Sequence, residues 1–257
     1  MANSFSTFQL KTDSSVLGIS EQGGYVTEWK IKNSQDVWMD ILYIGTELKR
    51  TGIPILFPYY GPSESGMGQH GFARDIKWHI INTAEEGVLL EITQQDISPE
   101  IAKHYPYNFK TQIQIQMHDH GFSYTLSVQN TGSQSLPIAP GLHPYWAIPH
   151  EQKKQVVAEH YPEIPMSDTD WDSHPLDTEF TFKNPVTVTF PTHQIVIEDT
   201  SEVVTKLVVW SQPLGAPDHD FICFEPVTLA RKSFDSTPIQ VAVGAIWTMK
   251  LNFKVIS

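Results

Sequence analysis

The feature that most constrains the fold of this chain is an alternation of apolar and polar residues in two consecutive segments. In NFKTQIQIQMH, residues 108–118, apolar side chains alternate with glutamines. After the turn sequence HDHG, residues 118–121, the alternation continues from Phe122 to Val128. A period of two is typical of a strand that is buried on one face. The pattern therefore predicts an antiparallel β-hairpin with its turn at HDHG.

Most of the other apolar segments also read as strands. They are GYVTEWKIK, GVLLEIT, VTVTF, KLVVW and the long C-terminal run IQVAVGAIWTMKLNFKVI, with turn sequences such as NTGS and DSTP between many of them. Helical signals are confined to SPEIAKHY, residues 98–105, where a serine cap, a first-position proline and a first-turn glutamate predict about two turns. The 18 prolines would interrupt longer helices.

These patterns predict an all-β protein, namely a large antiparallel β-sandwich with little helix. No βα alternation, repeat of fixed period or linker-like change of composition divides the sequence. We therefore expect a single domain over residues 1–257. The least regular stretch, from HPYWAIPHEQKK to DWDSHPLDTEF, is expected to be loop that covers a face of the sheet.

The charge of the chain argues against two classes of partner. With 17 basic and 29 acidic residues the formal charge is −12, so the chain lacks the basic surface that nucleic acids or anionic membranes require. A small neutral or weakly charged partner fits better. We also expect a soluble cytoplasmic protein without a leader, because no basic n-region precedes an apolar run and no apolar stretch reaches about 18 residues.

Three motifs place ionisable side chains beside glycine or proline. QHGFAR contains His70 and Arg74 before the strand-like segment IKWHIIN, APGLHPYW contains His143, and FICFEPVT contains Glu225. In the third motif four apolar residues precede the carboxylate, so partial desolvation would raise its pKa towards that of a general base at neutral pH. This motif gives the clearest physical indication of chemistry.

Each motif also has a purely structural interpretation. Most histidines are structural, and this chain has 11 of them. Glu225 alone is equally consistent with an edge-strand carboxylate that pairs with Arg231 or Lys232. Arginine is scarce, since Arg50, Arg74 and Arg231 are the only three, and an ion pair with a carboxylate is the ordinary role of each.

A metal site is the weaker alternative. His118 and His120 would share one face of a strand, but they fall at the predicted hairpin turn. The single cysteine, Cys223, excludes an intrachain disulfide, and no Cys/His spacing indicates a structural zinc site. We therefore expect no metal in the site.

Taken together, the motifs resemble those of the aldose 1-epimerase (galactose mutarotase) superfamily, including its hexose-6-phosphate 1-epimerase branch. The matching segments occur in the family's order between roughly residues 15 and 250, and they are GIPILFPYYG (52–61), HGFARDIKW (70–78), GLHPYW (141–146), PLDTEFTF (175–182), LVVW (207–210) and CFEP (223–226). The resemblance implies a galactose mutarotase-like β-sandwich, a sugar bound on the open face of the sheet and no cofactor.

By that resemblance, two residues carry the chemistry. His143 looks like the general acid that protonates the ring oxygen of the sugar, and Glu225 like the general base that takes the proton from the anomeric hydroxyl. His70 resembles the second histidine of the family, which hydrogen-bonds near the ring oxygen or a neighbouring hydroxyl. Ring opening needs one proton removed and one delivered, which suits a carboxylate and an imidazole.

The resemblance also implies residues that bind the sugar. Asp177 looks like the family's binding aspartate, with Asp168 and Asp172 as weaker substitutes. Candidates for apolar contact with the CH face of the sugar are Trp146, Phe72 and Trp210, although core packing is the alternative for Trp210.

The identity of the sugar is less well defined by the sequence. The GRYANRI-like segment of galactose mutarotases is missing, and RTGIPILFP instead resembles the RGGIPVVFP of the hexose-6-phosphate branch, with Thr51 in place of a glycine. In that branch the arginines that match Arg50 and Arg74 help to hold phosphate. The tryptophan after LVV is followed by SQP and not by that branch's NPW.

The leading hypothesis is therefore a sugar 1-epimerase, an isomerase that interconverts the α and β anomers of an aldohexose or its 6-phosphate. The alternative is a catalytically silent carbohydrate-binding or sugar-sensing protein on the same scaffold. In either case we expect a monomer or homodimer with a small-molecule sugar or sugar phosphate as its partner.

Overall fold

Strands form most of the regular structure in the computed structural model, which describes residues 5–256. Within that range the chain has twenty strands, and these are β1 (Phe8–Lys11), β2 (Ser15–Ile19), β3 (Val26–Lys32), β4 (Trp38–Asp40), β5 (Ile55–Leu56), β6 (His79–Thr83), β7 (Gly87–Thr93), β8 (Phe109–His118), β9 (Gly121–Asn130), β10 (Leu136–Ile138), β11 (Gly141–Leu142), β12 (Tyr145–Ala147), β13 (Val157–Ala158), β14 (Asp177–Thr181), β15 (Val186–Thr189), β16 (Gln194–Asp199), β17 (Lys206–Trp210), β18 (Phe221–Val227), β19 (Ile239–Val241) and β20 (Ile246–Ile256).

The strands form four sheets, and the pairings between them are antiparallel. The largest has the order β13-β15-β16-β20-β9-β8-β7-β6. A six-stranded sheet has the order β14-β17-β18-β11-β5, with β12 also paired to β18. The others are β1-β2-β3-β4 and β10-β19. The prediction of an all-β antiparallel sandwich is confirmed.

The strongest local prediction, the hairpin at HDHG, is also confirmed. β8 and β9 pair from Phe109 opposite Asn130 to His118 opposite Gly121, which leaves a two-residue turn. The C-terminal run differs from its prediction because it forms two strands. Gly244, with a φ of 76°, lies in the break between β19 and β20.

Helix is limited to short segments. The predicted helix is present as α1 (Pro99–His104), where the Ser98 side chain accepts a hydrogen bond from the backbone N–H of Ile101. A second helix, α2 (Ser233–Ser236), was not predicted. Four 3₁₀ turns complete the set, at Leu48–Arg50, Ala73–Asp75, Gln94–Asp96 and His150–Gln155. None of the helices in the described part of the chain is long and apolar enough to cross a membrane.

Aromatic side chains join three of the sheets into a common core. Trp29 of β3 lies edge-on to Phe122 of β9, with ring centroids 5.0 Å apart. Trp146 of β12 lies 6.1 Å from Phe253 of β20 and 6.5 Å from Trp29. The six-stranded sheet therefore has one face on this core, which leaves its other face available for a site.

Two of the predicted sugar contacts belong to the core instead. Trp146 is 1% exposed, and Phe72, at 2%, packs against Phe57, Tyr105 and Phe109. Both predictions are wrong, because burial of a large apolar ring in the core stabilises the fold more than exposure of that ring at the surface would.

We expect replacement of Trp146 by alanine to lower the free energy of unfolding by about 3–5 kcal/mol, because it opens a large cavity between two sheets. The matched control is Trp38→Ala, whose side chain is 44% exposed, and we expect its cost to stay below about 1 kcal/mol. Urea denaturation of the three proteins measures both. A Trp146 variant with unchanged stability and weakened sugar binding would restore the original prediction.

Candidate active site

The alternation of β18 places Glu225 on the face of the six-stranded sheet opposite the core. Ile222 and Phe224 belong to the main core, whereas Cys223 packs with the aromatic residues of the other face. Glu225 follows with the same period and lies opposite Val208 of β17. The sequence suggested a strand end or an edge strand for this carboxylate. It is instead inside a strand with neighbours on both sides, and it is only 2% exposed.

His143 meets Glu225 from the segment between β11 and β12. Its backbone N–H donates to the carbonyl of Pro54 at 2.9 Å, and its ring stacks on Tyr145 with centroids 4.6 Å apart. The Nε2 atom of His143 lies 3.2 Å from Oε1 of Glu225. The structure thus brings together the two residues predicted as acid and base.

Burial acts in opposite directions on the two groups. It raises the pKa of Glu225 well above the ordinary value, and the nearby Asp177 carboxylate adds to the rise. It lowers the pKa of His143 well below the ordinary value. Desolvation disfavours the charged form of each. Without a ligand, burial therefore favours the neutral form of each group, the carboxylic acid of Glu225 and the neutral imidazole of His143.

The HGFAR loop brings His70 beside His143. Gly71 has a φ of 70°, and a Cβ there would lie 2.3 Å from the carbonyl oxygen of Phe57, so only glycine fits. His70 itself has a φ of 69°. The Nδ1 atom of His70 accepts a hydrogen bond from the backbone N–H of Gly61 at 3.0 Å. The neutral ring therefore carries its hydrogen on Nε2.

His70, His143 and Glu225 line one cavity of about 480 Å³, large enough for a hexose. Arg50, Arg74 and Asp177 line it too, so it contains six of the eight predicted site residues, the exceptions being Trp146 and Phe72. Trp210, weighed between sugar contact and core, also lines the wall. The cavity further contains residues that were not predicted as site residues, among them Lys49, Tyr60, Gln69, Tyr145, Val208 and Arg231.

A row of rings runs along the cavity wall between two guanidinium groups. At one end the guanidinium of Arg231 lies 5.8 Å from the ring centroid of Tyr60, and at the other that of Arg50 lies 5.5 Å from the ring of Trp210. Between these ends the successive centroid separations are 5.8 Å from Tyr60 to His70, 5.6 Å from His70 to His143 and 5.4 Å from His143 to Trp210. The contact between His143 and Glu225 thus lies between two cationic ends.

The two ends differ in their partners. Arg231 donates to both carboxylate oxygens of Asp177, and its Nε and Nη2 atoms donate to the Tyr60 hydroxyl at 3.2 and 3.1 Å. Its positive charge is therefore largely compensated. The alternative in which Arg231 pairs with Glu225 is wrong, because the guanidinium takes Asp177 instead.

Arg50 and Arg74 have no such compensation. Within residues 5–256 neither lies within ion-pair distance of a carboxylate. Arg74 donates from Nη2 to the carbonyl of Gln69 at 3.1 Å, and its buried Nε has no acceptor in the protein. Arg50 does donate from Nη1 and Nη2 to the side-chain oxygen of Gln212 at 3.2 Å, but that oxygen is uncharged. The cavity therefore contains two guanidinium groups whose charge no carboxylate neutralises, which favours an anion.

The residues that sequence reasoning missed had a usable signal. Tyr145 stands two positions after His143, and the period of a strand puts residues i and i+2 on one face. The same rule assigns Trp146 to the opposite face, in the core. The scarcity of arginine alone could have indicated Arg231 as a site residue, since all three arginines of the chain line this cavity.

The alternative metal site at the hairpin turn is not assembled. His118 and His120 border a separate surface pocket, and in the described residues they do not meet a third histidine, cysteine or carboxylate donor at ligand spacing. The turn leaves both side chains exposed, as solvated histidines ordinarily are.

We expect His70 to make the protein sensitive to acid. Burial, with smaller contributions from Arg74 and Arg231, lowers the pKa of His70 from 6.5 to about 3. Between these values the unfolded chain binds a proton that the folded chain does not, so stability falls as the pH drops from 6.5 towards 3. Urea denaturation measures the free energy of unfolding at each pH. Its slope against pH should be shallower for His70→Gln than for wild type by up to about 1.4 kcal/mol per pH unit. Equal slopes for the two proteins would contradict the assignment.

Solved structures share the fold. A protein of Synechocystis sp. PCC 6803 superposes with a TM-score of 0.80 at 23% identity, covering 97% of this chain and 95% of that one. A protein of Escherichia coli K12 described as a putative aldose 1-epimerase superposes with a TM-score of 0.76 at 17% identity, covering 96% and 98%. At these identities the similarity establishes the fold.

Curated relatives match over a shorter region. A putative glucose-6-phosphate 1-epimerase of Salmonella typhimurium is 33% identical over 134 residues, covering 49% of this chain and 43% of that protein. The protein of the same description from Escherichia coli K12 is 32% identical over 130 residues, covering 43% and 42%. The alignment thus spans less than half of either relative. The family model described as aldose 1-epimerase matches residues 6–254, and the chain therefore belongs to the aldose 1-epimerase family.

Proposed function

We propose that this protein interconverts the α and β anomers of a hexose 6-phosphate by acid–base ring opening and reclosure. The observation that carries the proposal is the 3.2 Å contact between His143 and Glu225 inside a cavity that also presents Arg50 and Arg74 without carboxylate partners. Membership of the aldose 1-epimerase family supports the reaction class. The phosphate is supported by the free guanidinium groups and by the names of the curated relatives.

The contact suits the stereochemistry of a hemiacetal. The anomeric hydroxyl oxygen and the ring oxygen are bonded to the same carbon, so the groups that serve them must also be neighbours. An acid and a base held side by side reach both oxygens at once. Each, when positioned, contributes roughly 10²–10⁴-fold to the rate.

Ring opening uses the ionised form of the pair. The Glu225 carboxylate takes the proton of the anomeric hydroxyl, the C1–O5 bond breaks as the carbonyl forms, and the His143 imidazolium protonates O5. This step leaves a carboxylic acid and a neutral imidazole. Rotation about C1–C2 then turns the other face of the carbonyl towards O5. As the ring closes, the carboxylic acid of Glu225 gives its proton to O1 and the imidazole of His143 takes the proton from the O5 hydroxyl.

Burial favours the protonation that ring closure needs. It favours the carboxylic acid of Glu225 and the neutral imidazole of His143, which are the forms that give a proton to O1 and take one from O5. The ionised pair used in opening differs from this form by one proton, and the two side chains lie 3.2 Å apart. Neutral His70 then serves as a hydrogen-bond donor through Nε2 at the ring oxygen or an adjacent hydroxyl.

The ends of the cavity give the sugar an orientation. The phosphate is bound by Arg50 and Arg74, the two arginines of the cavity without a carboxylate partner. The carboxylate of Asp177, held by Arg231, accepts hydrogen bonds from sugar hydroxyls. The rings of Tyr145 and Trp210 offer apolar surface to the sugar's CH groups.

We expect Glu225→Gln to slow exchange between the anomers of glucose 6-phosphate by about 10²-fold or more, because an amide cannot take the hydroxyl proton. NMR magnetisation exchange measures the rate and calorimetry measures binding, which should change by only a few fold. The control Glu198→Gln removes an exposed carboxylate on β16, outside the cavity, and should keep the wild-type rate.

Two outcomes of that experiment would overturn the assignment. If wild type binds the sugar phosphate without accelerating exchange, the protein is a sugar-binding protein and not an epimerase. If Glu225→Gln retains full activity, a different group removes the proton.

We expect Arg74→Met and Arg50→Met to raise KM for glucose 6-phosphate at least about tenfold, equivalent to about 1.4 kcal/mol. Their kcat/KM for glucose should change by only a few fold, since glucose has no group for these guanidiniums to bind. The control Lys77→Met removes an exposed cation outside the cavity. Two results would show that the arginines do not bind a phosphate group. One is a wild-type preference for unphosphorylated hexoses, and the other is an equal loss of kcat/KM with both sugars in the variants.

A further inference from the structure

We propose that His143, Cys223 and Glu225 form a binding site for a thiophilic divalent cation of the zinc class, and that the bound cation blocks the sugar site. Cation binding stands independently of the proposed function. Only the resulting inhibition rests on the proposed roles of His143 and Glu225.

The three side chains supply a sulfur, a nitrogen and an oxygen donor. His143 and Glu225 line the cavity, and Cys223 lies beside them in the buried cluster that contains Tyr145 and Phe221. One ligand atom from each lies within 4.8 Å of the other two, and they form the one such group in the described part of the chain. β18 brings Cys223 and Glu225 to the same face because they are two residues apart. His143 arrives from the neighbouring segment, before β12 pairs Tyr145 with Cys223.

All three donors are buried, and two of the residues have a polar atom without a partner. Cys223 is 0% exposed, Glu225 is 2% exposed and His143 is 5% exposed. The Oε2 atom of Glu225 and the Nδ1 atom of His143 have no hydrogen-bond partner in the protein. Buried polar atoms are normally satisfied, so unpartnered atoms on two side chains beside a free thiol indicate that the cluster is incomplete without a ligand.

The spacing is close to that of a tetrahedral zinc site. With bond lengths of about 2.0–2.3 Å, the ligand atoms of such a site lie about 3.5 Å apart. The His143 to Glu225 separation already meets this value, and the other pairs need to close by at most about 1.3 Å. The proposal requires side-chain rotation to supply that movement. Three protein ligands leave a fourth position free, and two of the three, His143 and Glu225, line the cavity.

Charge balance favours a divalent ion here in spite of the nearby arginines. A thiolate and a carboxylate neutralise the two positive charges of the ion, and thiolate with imidazole is the ligand combination that zinc prefers over magnesium or calcium. Arg231 is already paired with Asp177. The unpaired Arg74 favours an anionic fourth ligand, such as hydroxide, over water.

The experiment is a titration of the purified full-length protein with Co²⁺ and with Zn²⁺. Co²⁺ should bind with 1:1 stoichiometry and give a thiolate-to-cobalt charge-transfer absorption together with the visible bands of tetrahedral cobalt. Zn²⁺ should displace it and abolish both. These signals do not depend on activity, so they remain informative if the protein proves not to be an epimerase.

Variants locate the ion. Cys223→Ser and Cys223→Ala should lose the charge-transfer absorption and raise the Zn²⁺ dissociation constant at least about tenfold, with thermal unfolding reporting that each is folded. The control is the double variant His118→Ala, His120→Ala, which removes the exposed pair at the hairpin turn and should bind Co²⁺ as wild type does.

Several results would overturn the proposal. They are the absence of a charge-transfer band in wild type, retention of the band in a folded Cys223 variant, and loss of cobalt binding in the double histidine variant. If the anomer exchange is active, Zn²⁺ should inhibit it and chelation should restore it. Full exchange activity with the site saturated by Zn²⁺ would refute the blocking step while leaving the binding site intact.

Discussion

The rest of the site depends on the contact between the buried carboxyl of Glu225 and the buried imidazole of His143. Ionising either group alone would cost free energy because it is removed from water, whereas a single proton between them can leave both groups uncharged. That arrangement needs a rigid floor, which β18 provides with paired strands on both sides. His70, fixed by the Gly61 N–H, adds no further charge beside the pair.

The distribution of charge makes the proposed binding of an anion compatible with an acidic protein. The chain has a formal charge of −12, yet its three arginines line a single cavity, and within residues 5–256 only one of them has a carboxylate partner. Long-range repulsion from the acidic surface is screened over about 10 Å at ordinary ionic strength. Close contacts inside the cavity are screened much less, so local guanidinium groups decide which ligand stays.

Much of this was readable from the sequence because it depends on local periodicity. Alternation in β8 and β9 gave the hairpin, and the cap sequence at Ser98 gave α1. The family resemblance of the motifs around His70, His143 and Glu225 predicted the candidate site, and six of the eight predicted residues line one cavity. The pairing of Arg231 with Asp177 was not readable, since the residues are 54 positions apart and only the path of the sheet brings them together. Trp146 was misplaced because residue type was weighed above strand period.

Tyr145 and Trp146 show the consequence of building a cavity on a sheet one layer thick. They are neighbours in sequence and face opposite sides of β12, with one ring on the cavity wall and the other in the packed interior. At this strand the same backbone therefore positions both the core and the candidate site. Natural substitutions that change which sugars bind should therefore accumulate in the surrounding loops. Substitutions in the floor of the cavity should be rarer, because each of them also requires the interior to be repacked.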